Sequence, residues 1–286
     1  MKTKVRWAEL LPREFRERLA ARPIAYLPLG ICEPHGQIAA YGLDSIKADY
    51  LCEEAARRYG GIVAPTLGYQ IHEAGYHAPW LVSEVGEGEA PMTGVPPQAL
   101  LYFFLYQLRA FVNAGFRGGV VVTGHSGGNQ ADLRLAADAF RRRAEVPMWV
   151  GSDPELVEGT YAGDHAGKYE ISQLMALRPE LVDFSLRRLE TEPGAGGRLA
   201  LGADAEEASA ELGERILEAS LARLGGIVET LAAAAPRSPV GPISYAPVED
   251  AWAETLAAKA SWRTASPYPG QRGVPEDSRW KPYEYL

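Results

Sequence analysis

Five histidines occur in the 286-residue sequence, at positions 35, 72, 77, 125 and 165, and most of the residues able to do chemistry gather around them. Glu33 and His35 stand two apart in Glu33-Pro34-His35-Gly36, a spacing that puts both side chains on one face of extended backbone. Asp44 follows nine residues later and can close the loop onto the same point, although a carboxylate before a helix can equally serve as a cap near Ser45. Adding His125, from the turn Gly124-His125-Ser126-Gly127-Gly128-Asn129, gives a carboxylate and imidazole set of the kind that binds Zn²⁺, Mn²⁺ or Fe²⁺. A third cluster, Asp164-His165-Ala166-Gly167-Lys168-Tyr169-Glu170, offers His165 and Glu170 as a proton shuttle for hydrolysis by a metal-activated water. A glutamate at that position also suits the helix dipole. His72, Tyr76, His77 and Trp80 follow a candidate strand and are expected to shape a substrate pocket rather than a separate metal site, with Ser126 as a further substrate contact.

Other chemistries fit less well. The glycine-rich turn has no Lys after Gly128, as a phosphate loop requires, and its order is not that of a dinucleotide fingerprint. Ser126 is not in a nucleophile elbow. Cys32 adjoins Glu33, which disfavours a thiolate, so it reads as a structural cysteine.

These residues need strands and helices to position them. Short apolar runs at 24–31, 62–67, 119–123 and 147–151 alternate with helical patterns at 7–19, 45–59, 97–113 and 130–142. That alternation predicts βαβ units around a mainly parallel sheet. The chemical clusters then fall in loops after strand carboxyl ends, where α/β proteins bind ligands. Further helices are expected at 169–177 and 203–232. The segment 236–286 is rich in proline and aromatic residues and is expected to be an extension that wraps the body at 1–235 or a neighbouring subunit.

Composition is that of a folded protein, with 47% hydrophobic and 23% charged residues. A net charge of −8 argues against a nucleic-acid partner. The most apolar stretch, 99–105, is far too short to span a membrane. Two cysteines and a polar start point to a reducing cytoplasm.

Read together, the motifs resemble those of the creatininase family of metal-dependent amidohydrolases. LPLGICEPHGQIAAYGLD at 27–44 is similar to the first family motif, TGHSGGN at 123–129 to the second, and HAGKYEIS at 165–172 to the third. The resemblance covers about residues 5–230. It implies a three-layer α/β/α subunit, often assembled as a homo-hexamer, with one or two divalent ions held by Glu33, His35, Asp44 and His125 and with Asp44 able to bridge them. It also places His165 beside the substrate. In creatininase itself a glutamate two residues after the second-motif histidine helps hold the second ion, and here that position is Gly127, so Glu170 is the candidate to complete the site. Ile38, Ala40 and Ile171 depart from the motifs and imply a remodelled pocket. The expected activity is hydrolysis of a C–N bond in a small, non-phosphorylated cyclic amide. The alternatives are ring-opening C–C hydrolysis of an inosose-like polyol ketone, or a catalytically weakened binding protein.

Overall fold

The computed structural model describes residues 3–72, 92–190 and 201–265. Four parallel strands form the central sheet: β1 (Ile24–Leu29), β2 (Ile62–Val63), β5 (Gly118–Thr123) and β6 (Met148–Ser152), in the order β2-β1-β5-β6. A separate parallel pair, β3 (Gln70–Ile71) and β4 (Gly94–Val95), stands beside it. The main helices are α1 (Pro12–Ala21), α2 (Leu43–Tyr59), α3 (Pro97–Asn113), α4 (Asn129–Ala144), the short α5 (Asp153–Leu156), α6 (Lys168–Leu177), α7 (Ala210–Ala234) and α8 (Ala246–Ala257).

The period of two along β1 explains the layers. Ala25, Leu27 and Leu29 face a core with Phe104 and Leu108 of α3 and Leu133 and Phe140 of α4. Ile24 and Tyr26 face the opposite core, with Leu51 and Ala55 of α2 and Leu221 and Leu224 of α7. A strand buried on both faces between two helical layers reads as a continuous apolar run, as it does in this sequence. The fold is thus a three-layer α/β/α sandwich with a parallel central sheet. Among the described residues, no helix is long and apolar enough to cross a membrane.

Several boundaries differ from the sequence reading. The expected helix at 7–19 breaks at Pro12 into a 3₁₀ turn, Trp7–Glu9, and α1, because proline starts helices well but cannot continue one. The strand expected at 62–67 is ordered as a ladder only at Ile62–Val63, with Leu67 rejoining Leu29 by an isolated bridge. The helix expected at 203–232 begins later, where Ser209 caps α7 by accepting a hydrogen bond from the Leu212 amide. Helix α8 lies in a segment read as extended. Its Val248 and Ala251 join the α3–α4 core, together with the fully buried Trp262.

Two glycines let α2 come close to the sheet. A Cβ at Gly30, just after β1, would lie 2.4 Å from the Ser45 backbone, and one at Gly124, just after β5, 2.1 Å from the Asp44 carbonyl oxygen. The first turn of α2 therefore wedges between the carboxyl ends of two central strands and delivers Asp44 there.

Candidate metal centre

Glu33 and His35 lie in the loop after β1, His72 directly after β3, His125 after β5, Asp44 in the first turn of α2 and Glu170 in the first turn of α6. All six side chains are buried. His165, in the loop before α6, keeps 32% of its side chain exposed. It forms the accessible rim of the cluster.

Among the described residues the ligand atoms fall into two compact groups joined by a third. Glu33, His72 and His125 make one, His35, Asp44 and Glu170 the other, and Glu33, His35 and His165 the group that joins them, each with its ligand atoms within 4.8 Å of one another. Glu33 Oε1 lies 2.8 Å from His125 Nδ1 and Glu33 Oε2 2.8 Å from His72 Nε2. In the second group His35 Nε2 stands 3.5 Å from Glu170 Oε2 and 3.7 Å from Asp44 Oδ1. Asp44 joins the groups, since its other oxygen, Oδ2, is 3.6 Å from His125 Nδ1.

The chemistry of these atoms fits a divalent cation. His35 Nδ1 donates to the Glu33 carbonyl oxygen at 3.0 Å, which fixes the tautomer and turns the Nε2 lone pair toward the carboxylates. His35 Nε2 and both Asp44 oxygens are buried with no hydrogen-bond partner, a costly arrangement unless a cation satisfies them. The electrostatics agree. Burial resists a charge on His35, but Asp44 and Glu170 outweigh it and hold its pKa well above the usual value. Burial likewise opposes ionisation of Glu33, yet His125, His165 and His72 together hold it well below the carboxylate range.

Asp44 is not a helix cap. Helix α2 begins at Leu43 after Gly42, no side chain caps it, and the Asp44 carboxylate turns inward. Glu170 sits at a helix start as its dipole favours, and its Oε2 also accepts the Ala166 amide at 2.9 Å. His72 lies inside the cluster rather than on its outer wall. It is placed there by Asn129, which accepts from the Ile71 amide at 2.9 Å and donates to the Ile71 carbonyl at 2.8 Å. Tyr76, His77 and Trp80 lie outside the described residues. Ser126, next to His125 in the chain, lines a cavity of about 760 Å³ with Ser152, Glu155, Glu158, Thr160 and Asp164 on its other walls and no side chain of the cluster among them.

Sequence reasoning missed Lys47 and Asp153. Lys47 is fully buried, with Nζ 2.5 Å from Glu170 Oε1, 3.4 Å from Asp153 Oδ1 and 3.5 Å from Asp44 Oδ1. Burial raises the Asp153 pKa to about 6 against the pull of Lys47. Asp153 is steadied by the Tyr169 hydroxyl at 3.0 Å and by Gln173 Nε2 at 3.3 Å. One signal was available: Lys47 is three residues after Asp44, one helical turn along the same face.

The creatininase (creatinine amidohydrolase) family matches this chain over residues 8–228. The 3-dehydro-scyllo-inosose hydrolase of Thermotoga maritima is 26% identical over 205 residues, which span 67% of this chain and 61% of that protein. The creatinine amidohydrolase of Pseudomonas putida is 26% identical over 200 residues, 62% of this chain and 73% of that one. Solved structures of creatininase superpose closely: one gives a TM-score of 0.66 and a manganese form gives 0.65, each at 25% identity over 80% of this chain and 98% of the other. With the family match spanning most of the sequence, and the same fold carrying the buried carboxylate and histidine cluster at its strand ends, the chain belongs to the creatininase family of metal-dependent amidohydrolases.

Proposed function

We propose that this protein hydrolyses a C–N bond in a small, non-phosphorylated cyclic amide. The observation that carries this reading is the buried N/O cluster in which His35 Nε2 and both Asp44 oxygens have no hydrogen-bond partner. Glu33, His35, Asp44 and His125 would hold a divalent ion, manganese or zinc, with His72 and Glu170 completing the two groups. Such an ion supplies Lewis acidity and makes water nucleophilic near neutral pH. The chain's own residues would move the protons. His165 Nε2 donates to the Pro34 carbonyl oxygen at 3.0 Å, so Nδ1, 3.7 Å from Glu33 Oε1, is the nitrogen able to accept a proton at the cluster and pass it to the leaving amine. The bond Pro34 accepts holds the ring in that tautomer.

The cavity lined by Ser126 and Asp164, the chain neighbours of His125 and His165, supports an uncharged substrate. Its described walls carry Glu155, Glu158 and Asp164 but no Lys or Arg, and a phosphorylated substrate would need cations there. The hydroxyls of Ser126, Thr160 and Tyr161 suit the edges of a hydroxylated or lactam ring. The same lining keeps a second reading in play, ring-opening hydrolysis of a polyol ketone, which the similarity to the inosose hydrolase favours. We also take the protein to be cytoplasmic, on its two cysteines, and a homo-oligomer, on the family likeness, the latter tested by light scattering. Turnover of neutral cyclic amides, cyclic polyol ketones and phosphorylated formamides by the manganese-loaded protein decides among the substrates. A preference for the phosphorylated compounds overturns the proposal.

A further inference from the structure

The family match ends at residue 228, and α8 with the chain up to residue 265 lies beyond it. Val248, Ala251 and Trp262 seat this extension in the α3–α4 core. Past Trp262 its backbone crosses the loop that leads from His125 into α4. A Cβ at Gly128 would lie 2.9 Å from Arg263 Cβ and 3.4 Å from the Thr264 amide nitrogen. Asp132, whose amide donates to the Gly128 carbonyl oxygen at 3.2 Å, closes the clasp by accepting both the Arg263 and Thr264 amides and the Thr264 hydroxyl.

Two residues of the clasped stretch, Ser126 and Gln130, line the 760 Å³ cavity. Gln130 Oε1 is buried there with no hydrogen-bond partner, which is costly unless a ligand donates to it. His125 is held in another way. Its carbonyl oxygen accepts from the Thr123 hydroxyl, and its Nδ1 lies 2.8 Å from Glu33 Oε1, so its place does not depend on the clasp.

Resting on the hydrolase reading above, we infer that Gln130 is a specificity-determining residue that accepts a hydrogen bond from an N–H or O–H of the substrate, and that the extension holds Gln130 and Ser126 for this through Asp132. Asp132 is a positioning residue. It acts through the first turn of α4 and sets how tightly substrate binds, not whether the metal does.

Two measurements on the full chain test this: Michaelis kinetics of the manganese-loaded protein on the neutral cyclic amide it turns over fastest, and hydrogen exchange of peptides spanning residues 126–132. Gln130→Leu should raise KM about tenfold and change kcat by less than about twofold, as removal of a contact made equally in the ground and transition states does. Its loop exchange should stay at the wild-type rate. Asp132→Ala should raise KM at least about threefold and speed loop exchange about tenfold, with metal content unchanged, and Asp132→Asn, which keeps one acceptor oxygen, should fall between it and wild type. Val248→Ala loosens the extension away from the loop, so it should lower the melting temperature and leave both KM and loop exchange alone. If Asp132→Ala does not fold, Thr264→Val, which deletes only the hydroxyl donor, should move both readouts in the same directions by less. A wild-type KM in Gln130→Leu, a loss in kcat alone, or a KM and loop exchange indifferent to positions 132 and 264 would overturn the inference. Wild type that turns over no compound of the panel would instead overturn the hydrolase reading and with it the role of Gln130, while loop exchange would still decide the clasp.

Discussion

Asp44 and Asp132 make an instructive pair. Each lies in the first turn of a helix, Asp44 in α2 and Asp132 in α4, and their exposures are 0% and 1%. Asp132 is fully served by the protein. It accepts from the Arg263 amide at 2.8 Å, the Thr264 amide at 2.9 Å and the Thr264 hydroxyl at 2.5 Å, and so fastens the segment after α8 to the start of α4. Neither oxygen of Asp44 receives a hydrogen bond. A buried carboxylate costs little when donors converge on it and much when they do not. The chain thus supplies donors where the role is structural, and at Asp44 leaves both oxygens without one among imidazoles and carboxylates, as the proposed metal site requires.

The contrast yields predictions of graded size. Asp44→Asn should abolish retention of metal and reduce turnover by more than about 10²-fold, since even residues that only orient metal ligands contribute 10- to 100-fold. The stripped variant should lose less stability than Asp132→Ala does, because no hydrogen bond to Asp44 is broken; a larger drop in its melting temperature would make Asp44 structural after all. His165→Ala should lower kcat by about 10²–10⁴-fold with metal content intact, as expected of a group that acts on protons and not on the ion. Loss of metal in that variant would place His165 among the ligands. Asp132→Ala should do the reverse of Asp44→Asn. It leaves three donors without their acceptor and should cost about 1–3 kcal/mol in urea unfolding, while metal content stays unchanged. An unaltered unfolding midpoint would mean that the segment after α8 contributes nothing to the body.

The sequence exposes Asp44 more readily than it exposes what surrounds it. Glu33, His35, Asp44, His125, His165 and Glu170 belong to short local motifs at strand ends and helix starts, and residues grouped by local spacing can be singled out without coordinates, as their meeting in one cluster shows. The sheet was legible for the same reason, because β1, β5 and β6 are apolar runs of strand length between helical periods. Lys47 and Asp153 are different. Alone, a lysine on a helix reads as solvent-facing, and nothing local links it to Asp153, which is 106 positions away. Only packing of α2 against α6 and the end of β6 brings them together. The pairing of β3 with β4 is two residues long on each strand, too short for any periodic signal, so the placement of His72 by Asn129 was hidden as well. Helix α8 could have been found. Pro247 stands at its start, where proline is tolerated, and Val248, Ala251 and Thr255 follow at helical spacing on the buried face. The prolines around it drew the reading toward an extended chain.

The comparison can be sharpened most finely with pH. In the stripped protein burial opposes a proton on His125, but Glu33 and Asp44 prevail and push its pKa up to about 10, from an ordinary value of 6.5. A histidine with a raised folded-state pKa contributes stability that is complete below its unfolded value and is lost as pH climbs toward the folded one. Stripped protein should therefore decline in melting temperature from about pH 6.5 toward pH 10, and His35, raised in the same direction, adds to the slope. In the loaded protein the ion replaces those protons, and its ligands must be deprotonated to bind it. Its stability should rise with pH up to about 6.5, the range in which the unfolded chain gives up its own histidine protons, and stay level above. The two melting curves, measured on one preparation with chelator and with Mn²⁺, should thus diverge steadily from acid to alkaline pH. Asp44→Asn removes one of the two carboxylates that hold the proton on His125 and should flatten the decline of the stripped form, whereas Asp132→Ala should shift that curve down without changing its slope. Parallel curves for stripped and loaded wild type would show that protons and the ion do not compete for the same nitrogens, and would separate the buried histidines from the metal centre.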